Sequence, residues 1–180
     1  SAIFVPKGEE LYSESFSLDL VENQLSKCKE GLARPGFFSG VLTIVAKLFN
    51  IIEPSVSFFG EKDPQQLLLI KKLCNELNFN IDIVSCPTVR EKNGLAYSTR
   101  NQYLSDDEKK EAGIIYSSLK EALNLLESGE TNYDVIYNRI KETLCLYKKI
   151  KLDFISLAHS KTLIEYDGLI SGPVLISLAV

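Results

Sequence analysis

The chain has 180 residues, of which 45% are hydrophobic and 24% are charged, so it can bury the core of one domain or one and a half. Its formal net charge of −4 argues against a dedicated nucleic-acid-binding protein, which usually has a basic face. Its four cysteines form no C-x-x-C pair and it has one histidine, so we expect no zinc site, and we expect a reducing compartment, the cytoplasm. No apolar run is long enough to span a membrane.

The first half of the chain alternates apolar strands with helices. Short apolar or alternating runs predict four strands, at residues 2–5, 16–20, 56–59 and 81–86, and all but the second are expected to be buried. Helices are predicted around residues 21–28 with an end at Gly31, over 41–52 and after Asp63. Their inner stripes are predicted as Val41, Ile44, Val45, Leu48, Phe49 and Ile52 in the second helix, and Leu67, Ile70, Cys74 and Leu77 in the third. Residues 33–40, rich in Pro and Gly, are predicted as a loop. Short connections between apolar strands predict an open α/β sheet of parallel βαβ units.

The second half has a different pattern. Ser105 and Glu108 form a capping box that starts a helix, and another helix is predicted from about Thr131. Residues 152–158 and 173–180 are predicted as strands. This order predicts a smaller α+β unit. We therefore expect three parts, with bounds at residues 1–87, 88–104 and 105–180.

The stretch FGEKDPQQ, at residues 59–66, leaves the carboxyl end of a predicted strand and enters a helix. Ligands of open α/β sheets bind at that edge, and the helix N-terminus favours an anion. Gly60 would allow close approach to the backbone, Lys62 would add positive charge, Asp63 could hold a ribose hydroxyl and Gln66 a polar substrate. The structural alternative makes Asp63 an N-cap, Pro64 a favoured first residue and Lys62 a solvated charge.

The stretch PTVREKNGLAYSTRN, at residues 87–101, follows the next strand, so it should start at the same edge as Gly60. Arg100 can bind phosphate through its planar fork of donors, and the Ser98 and Thr99 hydroxyls can donate to phosphate oxygens. The alternative is a plain turn with a solvated arginine. Two candidate anion sites on one edge favour the functional interpretation.

For three other features, the local sequence favours a structural role over a functional one. Arg34, beside Pro35, could present a guanidinium at a helix N-terminus, although a surface arginine in a loop is the more common case. His159 at a strand end is expected to be structural or exposed. Tyr97 and Tyr103 are expected to pack the loop that contains Arg100.

Three long motifs, in order, resemble those of the pantothenate synthetase (pantoate–β-alanine ligase) family. That family's runs R-P-G-H-F-x-G-V-x-T-V-V-x-K-L-F, F-G-E-K-D-[FY]-Q-Q-L and P-T-x-R-E-x-[DN]-G-L-A-[ML]-S-S-R-N-x-Y-L correspond here to RPGFFSGVLTIVAKLF at 34–49, FGEKDPQQL at 59–67 and PTVREKNGLAYSTRNQYL at 87–104. The resemblance implies a partial Rossmann-like parallel sheet of the nucleotidyltransferase type, followed by a smaller α+β C-terminal domain. It also implies an ATP- and Mg²⁺-dependent condensation of pantoate with β-alanine through pantoyl adenylate, in a protein that is a homodimer when full-length.

The resemblance also assigns roles to single residues. The catalytic residues it implies are Lys62, Ser98, Thr99 and Arg100. The ATP-binding residues it implies are Gly60, Lys62, Asp63, Val89, Ser98, Thr99 and Arg100. On the pantoate side it implies Gln66 and Arg34.

The chain departs from the family pattern at several positions. Phe37 replaces a histidine, Tyr97 a Met or Leu, Thr99 a serine and Pro64 an aromatic residue. The family's N-terminal P-T-M-G-x-L-H-x-G-H segment is absent, so we expect a piece of a longer protein that binds ATP weakly, cannot ligate alone and exposes a sheet edge prone to self-association. Two alternatives stay open: a non-catalytic nucleotide-binding module, and an adenylating ligase for another acid, against which Gln66 and Arg34 argue.

Overall fold

The computed structural model describes residues 2–180 of the chain. The contacts divide the chain into two compact units. The first comprises the residues up to Phe59 together with Asp63–Ser85, and the second comprises Gly60–Lys62 together with Cys86–Val180. Within residues 2–180, no helix is both long and apolar enough to cross a membrane.

The first unit is built on its two long helices and on the two strands that flank the second long helix in the sequence. Its helices are α1 (Gly8–Leu11), α2 (Lys29–Ala33), α3 (Phe37–Ile52) and α4 (Pro64–Glu76), with a 3₁₀ turn at Leu25–Lys27. The strands β1 (Val56–Gly60) and β2 (Asp82–Cys86) form a two-stranded sheet. The amide of Asp82 donates to the Ser55 carbonyl at 2.9 Å, and the amide of Glu61 donates to the Cys86 carbonyl at 2.8 Å. Both strands therefore run in the same direction, which confirms the predicted parallel βαβ unit.

The core of the first unit lies between α3 and α4. Its larger cluster consists of Phe38, Leu42, Ala46, Leu69 and Leu73. Phe49, Ile70 and Cys74 form a second cluster against Phe59, Phe79, Ile81 and Ile83. Within the predicted inner stripe of α3, Phe49 is buried and Val45 packs against both clusters, so the prediction is confirmed at these two positions, but it was wrong at the exposed Ile52. The predicted stripe of α4 was wrong at Leu77, which is half exposed. Since α3 is apolar around most of its circumference, its spacing fits more than one stripe, and contact with α4 selects the stripe that is buried.

Several local predictions in the first unit were wrong. Residues 2–5 and 16–20 form no strand. Each of the two described sheets has two strands, and neither sheet includes these segments. Without a neighbouring strand to cover it, Ile3 is 89% exposed. Strands β1 and β2 exist but bury only one face: Phe59 packs on the helices, whereas Phe58 is 68% exposed. A strand covered by helices on one side buries alternate residues. In place of one helix that ends at Gly31, the chain forms the 3₁₀ turn and then α2, which extends to Ala33. The predicted loop 33–40 already enters α3 at Phe37.

The second unit packs two long helices on an antiparallel strand pair. Its elements are a 3₁₀ helix at Thr99–Tyr103, α5 (Asp106–Glu127), α6 (Tyr133–Cys145), β3 (Phe154–His159) and β4 (Val174–Ala179). Strand β3 pairs with β4 from Phe154 opposite Ala179 to His159 opposite Val174. The core consists of Ala122, Ile136, Ile140, Leu144, Ile155, Leu157 and Ile170. The predicted fold class, a parallel α/β part followed by an α+β part, is confirmed.

Helix caps in the second unit explain where its helices start. The predicted capping box of α5 is present: the Ser105 hydroxyl accepts from the Glu108 amide at 3.3 Å, and the Glu108 carboxylate accepts from the Ser105 amide at 2.9 Å. The hydrogen bonds from Ser105 lower the pKa of Glu108. The cap of α6 is Asn132, one residue after Thr131, because the Asn132 side chain accepts from the Asp134 and Val135 amides.

Candidate functional site

The loops that follow β1 and β2 leave the same edge of the parallel sheet. The hydrogen bond from Glu61 to the Cys86 carbonyl joins the two loops at their first residues. Gly60 and Lys62 are exposed there. The prediction that Gly60 and the 87–101 stretch start at one edge is therefore confirmed.

The N-terminal turn of α4 matches the structural alternative in part. Asp63 occupies the N-cap position and Pro64 is the first helical residue, but the Asp63 carboxylate does not cap the helix amides. Gln66 is partly buried in the first turn. The positive end of the α4 dipole thus lies directly after the exposed Lys62.

Sequence reasoning missed the role of Gln65, the neighbour of Gln66. Gln65 is 7% exposed, and its amide nitrogen donates to the carbonyls of Leu25 at 2.7 Å and Cys28 at 3.1 Å. It thereby fixes the segment that leads into α2 against the start of α4. The pair of adjacent glutamines was the available signal, since successive helical positions face different directions and only one of the two can point to a ligand.

The loop between β2 and α5 is an ordered hairpin. Arg90 and Ala96 form an antiparallel bridge, and the Glu91 amide donates to the Leu95 carbonyl at 2.8 Å. The Tyr97 amide donates to the Val89 carbonyl at 3.0 Å, so that carbonyl has one of its two acceptor positions left for a ligand. Ser98 follows the hairpin directly.

Ser98, Thr99 and Arg100 form the start of the 3₁₀ helix. The Ser98 hydroxyl caps this helix by accepting from the Arg100 amide at 3.2 Å, which leaves its own proton to donate to a ligand. Thr99 and Arg100 are exposed. Among residues 2–180, the Arg100 guanidinium makes no hydrogen bond or ion pair. Two hydroxyls and a free guanidinium at one helix start can clamp an anion.

Arg34, in the first unit, is engaged at short range. Its Nη1 atom lies 3.1 Å from Glu30 Oε1, one helical turn earlier, and its guanidinium carbon lies 5.6 Å from the centre of the Phe37 ring. Phe37 also makes an edge contact with Phe38, which is buried in the core. Arg34 can therefore bind an anionic ligand only in competition with the Glu30 carboxylate.

The predicted site residues divide between the two units. The second unit contains Gly60, Lys62, Val89, Ser98, Thr99 and Arg100. The first unit contains Arg34, Asp63 and Gln66. Two surface depressions of about 330 and 390 Å³, lined respectively by residues around Cys74 and around Glu121, contain none of these nine residues. Within residues 2–180, no group of three or more His, Cys, Asp or Glu side chains is arranged to hold a metal ion.

A partly buried ion pair holds the segment before α2 on α4. Lys72 Nζ lies 2.6 Å from Glu22 Oε1 and 3.7 Å from Glu76 Oε1. Burial acts to raise the pKa of Glu22, but hydrogen bonds from Lys72 and from the amides of Ser26, Gln24 and Leu25 outweigh it and lower that pKa. The hydrogen bond to Glu22 raises the pKa of Lys72.

This ion pair predicts a pH-dependent contribution to stability. Because the folded-state pKa of Glu22 is lowered, its contribution is present above the unfolded value of about 4.3 and is lost as the pH falls through the folded value. Glu22→Gln should lower the free energy of unfolding by about 1 kcal/mol at pH 7. Urea titrations at pH 7 and pH 3 measure this: the difference from wild type should shrink at pH 3, and an equal difference at both would contradict the assignment.

Comparison with known proteins decides the family. The sequence profile of the pantoate-beta-alanine ligase family matches residues 1–180. The chain belongs to this family. The pantothenate synthetases of Thermosipho africanus and Acetivibrio thermocellus are each 42% identical to it over 178 residues, which cover 99% of this chain and 63% of theirs. The chain thus spans about 63% of the length of these curated relatives.

Solved structures of the same ligase family have the same fold. A crystal structure of the pantothenate synthetase from Thermus thermophilus matches with a TM-score of 0.89 at 35% identity, over 98% of this chain and 64% of that one. The pantoate-beta-alanine ligase from Francisella tularensis, complexed with beta-gamma ATP and beta-alanine, matches with a TM-score of 0.66 at 29% identity, over 96% of this chain and 61% of that one.

Proposed function

We propose that this protein condenses pantoate with β-alanine, using ATP, and releases pantothenate, AMP and pyrophosphate. The observation that carries the proposal is the start of the 3₁₀ helix, where Ser98, Thr99 and the unpaired Arg100 follow an ordered hairpin in a member of the pantoate-beta-alanine ligase family. The 3₁₀ helix lies in the same unit as Gly60 and Lys62.

The proposed reaction has two displacement steps. A carboxylate oxygen of pantoate attacks the α-phosphorus of ATP, and the bond to pyrophosphate breaks. The β-alanine nitrogen then attacks the acyl carbon of pantoyl adenylate, loses a proton, and AMP leaves. Fixed donors aimed at the developing negative charge stabilise such steps, and this is the role proposed for Lys62, Ser98, Thr99 and Arg100.

Binding roles are also proposed for the other predicted residues. Gly60, Asp63 and the Val89 backbone would contact the nucleoside, while Gln66 and Arg34 would bind pantoate. Mg²⁺ is proposed to enter with ATP and to be held mainly by the phosphates, since Mg²⁺ usually binds through substrate phosphates and a few carboxylates and waters.

We further propose the setting in which this activity occurs. The composition supports a cytoplasmic protein, and the net charge of −4 supports one that binds no nucleic acid. The family resemblance supports a homodimer.

Isotope exchange between labelled pyrophosphate and ATP tests the adenylation step. It is run with pantoate and Mg²⁺ but without β-alanine, on the 180-residue chain and on the longest product of its gene. Exchange that requires pantoate supports the proposal. ATP binding without exchange in either protein would favour a non-catalytic nucleotide-binding module, and exchange driven only by another acid would favour a ligase of different specificity.

The contact between Arg34 and Glu30 predicts a gain of affinity. Glu30→Gln removes the carboxylate that competes with pantoate for the guanidinium, while the Phe37 contact stays. The pair is partly exposed, so the pantoate concentration at half-maximal exchange should fall by about 1.4- to fivefold, corresponding to ~0.2–1 kcal/mol. Glu142→Gln, an exposed change in the other unit, is the control. A weaker affinity in Glu30→Gln would show that Glu30 orients Arg34 and does not compete for it.

A further inference from the structure

The hairpin that precedes the anion-binding residues is fastened to helix α5 by a stacked guanidinium. The guanidinium carbon of Arg90 lies 4.0 Å from the centre of the Tyr116 ring. Arg90 Nη1 also donates to the Gly94 carbonyl at 3.1 Å. The Arg90 side chain therefore connects the first strand of the hairpin to the hairpin tip and to helix α5.

The tip of the hairpin is shaped to lie against the same ring. Gly94 has a φ of +93°, and a Cβ atom added there would lie 2.5 Å from Tyr116 Cδ1, so no other residue fits without displacement. One turn earlier on α5, a Cβ atom on Gly113 would lie 2.8 Å from the Asn93 carbonyl oxygen. The Asn93 side chain donates to the Lys109 carbonyl at 2.7 Å. The hairpin and α5 thus fit closely over a full turn of the helix.

The same hairpin is coupled to Ser98 and Arg100. The side-chain nitrogen of Asn101, in the 3₁₀ helix, donates to the Ala96 carbonyl at 3.0 Å and to Glu91 Oε1 at 3.3 Å. The Ser98 hydroxyl in turn accepts from the Arg100 amide. A shift of the hairpin on α5 would therefore move the candidate anion donors with it.

We propose that Tyr116 and Arg90 are positioning residues, which act through the hairpin to hold Ser98, Thr99 and Arg100 in the geometry that binds the triphosphate of ATP. The proposal rests on the proposed function. Neither residue needs to touch the nucleotide: the Arg90 guanidinium is engaged by Tyr116 and Gly94, and Tyr116 lies on α5 beneath the hairpin. Misplacement of fixed donors by about 1 Å is enough to cause large losses.

The test measures ATP affinity and stability in the same set of variants. Tyr116→Leu and Arg90→Met remove the stack, whereas Tyr116→Phe keeps the aromatic face and serves as the conservative variant. Tyr137→Leu is the matched control, because Tyr137 lies on α6, where it stacks on Tyr133 against the core of the same unit. Calorimetric ATP titration and urea unfolding are performed on each variant, well below its unfolding midpoint, together with Arg100→Ala.

The expected result separates positioning from stability. Tyr116→Leu and Arg90→Met should each weaken ATP binding about tenfold, the double variant should lose little more than either alone, and Tyr116→Phe should stay within about twofold of wild type. Tyr137→Leu should lower the unfolding midpoint and leave ATP affinity unchanged. If ATP binds the wild type and Arg100→Ala weakens it, but Tyr116→Leu only lowers stability, the positioning role is overturned and the proposed function stands. Absence of ATP binding by the wild type, both as the 180-residue chain and as the longest product of its gene, would overturn both.

Amide hydrogen exchange gives a second readout that needs no nucleotide. In Tyr116→Leu, peptides covering residues 90–101 should exchange faster than in wild type, while peptides from α6 should not change. Unchanged exchange in the hairpin and the 3₁₀ helix would also overturn the proposal.

Discussion

Arg100→Ala is expected to weaken ATP binding by about 1.5–3 kcal/mol, or roughly 10- to 150-fold in the dissociation constant, the range for hydrogen bonds to charged groups. The guanidinium is exposed and has no partner within residues 2–180, so its removal leaves no buried charge unpaired. The loss of affinity would then measure the lost contact with phosphate alone. Arg100→Lys should recover part of the affinity, because it keeps the charge but not the planar fork.

Titration calorimetry at two salt concentrations checks this prediction for Arg100. Arg139→Ala is the matched control. Arg139 is half exposed and belongs to the same unit, but it lies on α6, where its guanidinium pairs with Glu121 of α5. The difference in ATP-binding free energy between wild type and Arg100→Ala should become smaller at high salt, because salt screens the interaction of an exposed charge. If Arg100→Ala and Arg139→Ala bind ATP equally well, Arg100 is only a solvated surface residue.

Local sequence signals predicted the parts of the fold whose causes are local. The capping box at Ser105 and Glu108 starts α5 because both partners lie within one turn of the chain. The parallel pair β1 and β2 was predicted because two apolar runs flank an amphipathic helix with short connections. The common edge of the two candidate loops followed from that topology without any side-chain information.

Features that depend on distant partners could not be predicted in this way. A strand at residues 2–5 would require a neighbouring strand, and an apolar run does not indicate whether one exists. Contact with α4 determines which face of α3 is buried. The burial and orientation of the Gln65 side chain depend on carbonyls about forty residues earlier in the chain. The stack of Arg90 on Tyr116 joins a loop to a helix across a separation that no motif encodes.

One feature of the candidate site was missed although its signal was present. Glu30 and Arg34 are four residues apart, the spacing of an ion pair on one helix face. Interpreting residues 33–40 as a loop hid this spacing, because α2 extends to Ala33 and places Arg34 at its end. A correct helix bound would have predicted the competition between Glu30 and an anionic ligand.

The largest effect on stability is expected from Leu157→Ala. Leu157 lies in the middle of β3, opposite Ile176, and is fully buried in the core of the second unit. Deleting most of a buried leucine side chain in such a core should lower the free energy of unfolding by about 2–5 kcal/mol, since the loss of transfer energy adds to the cost of the cavity.

Urea unfolding followed by circular dichroism measures the effect of Leu157→Ala, and Leu146→Ala is the matched control. Leu146 follows α6 in the same unit and is 77% exposed, so its truncation should change the free energy of unfolding by less than about 0.5 kcal/mol. Under conditions where Leu157→Ala is still folded, its ATP affinity should equal that of wild type, because the hairpin contacts at Tyr116 do not involve Leu157. The contradicting result would be a loss of ATP affinity in Leu157→Ala as large as that in Tyr116→Leu. That result would mean that ATP affinity depends on the overall stability of the unit and not on the stack of Arg90 on Tyr116.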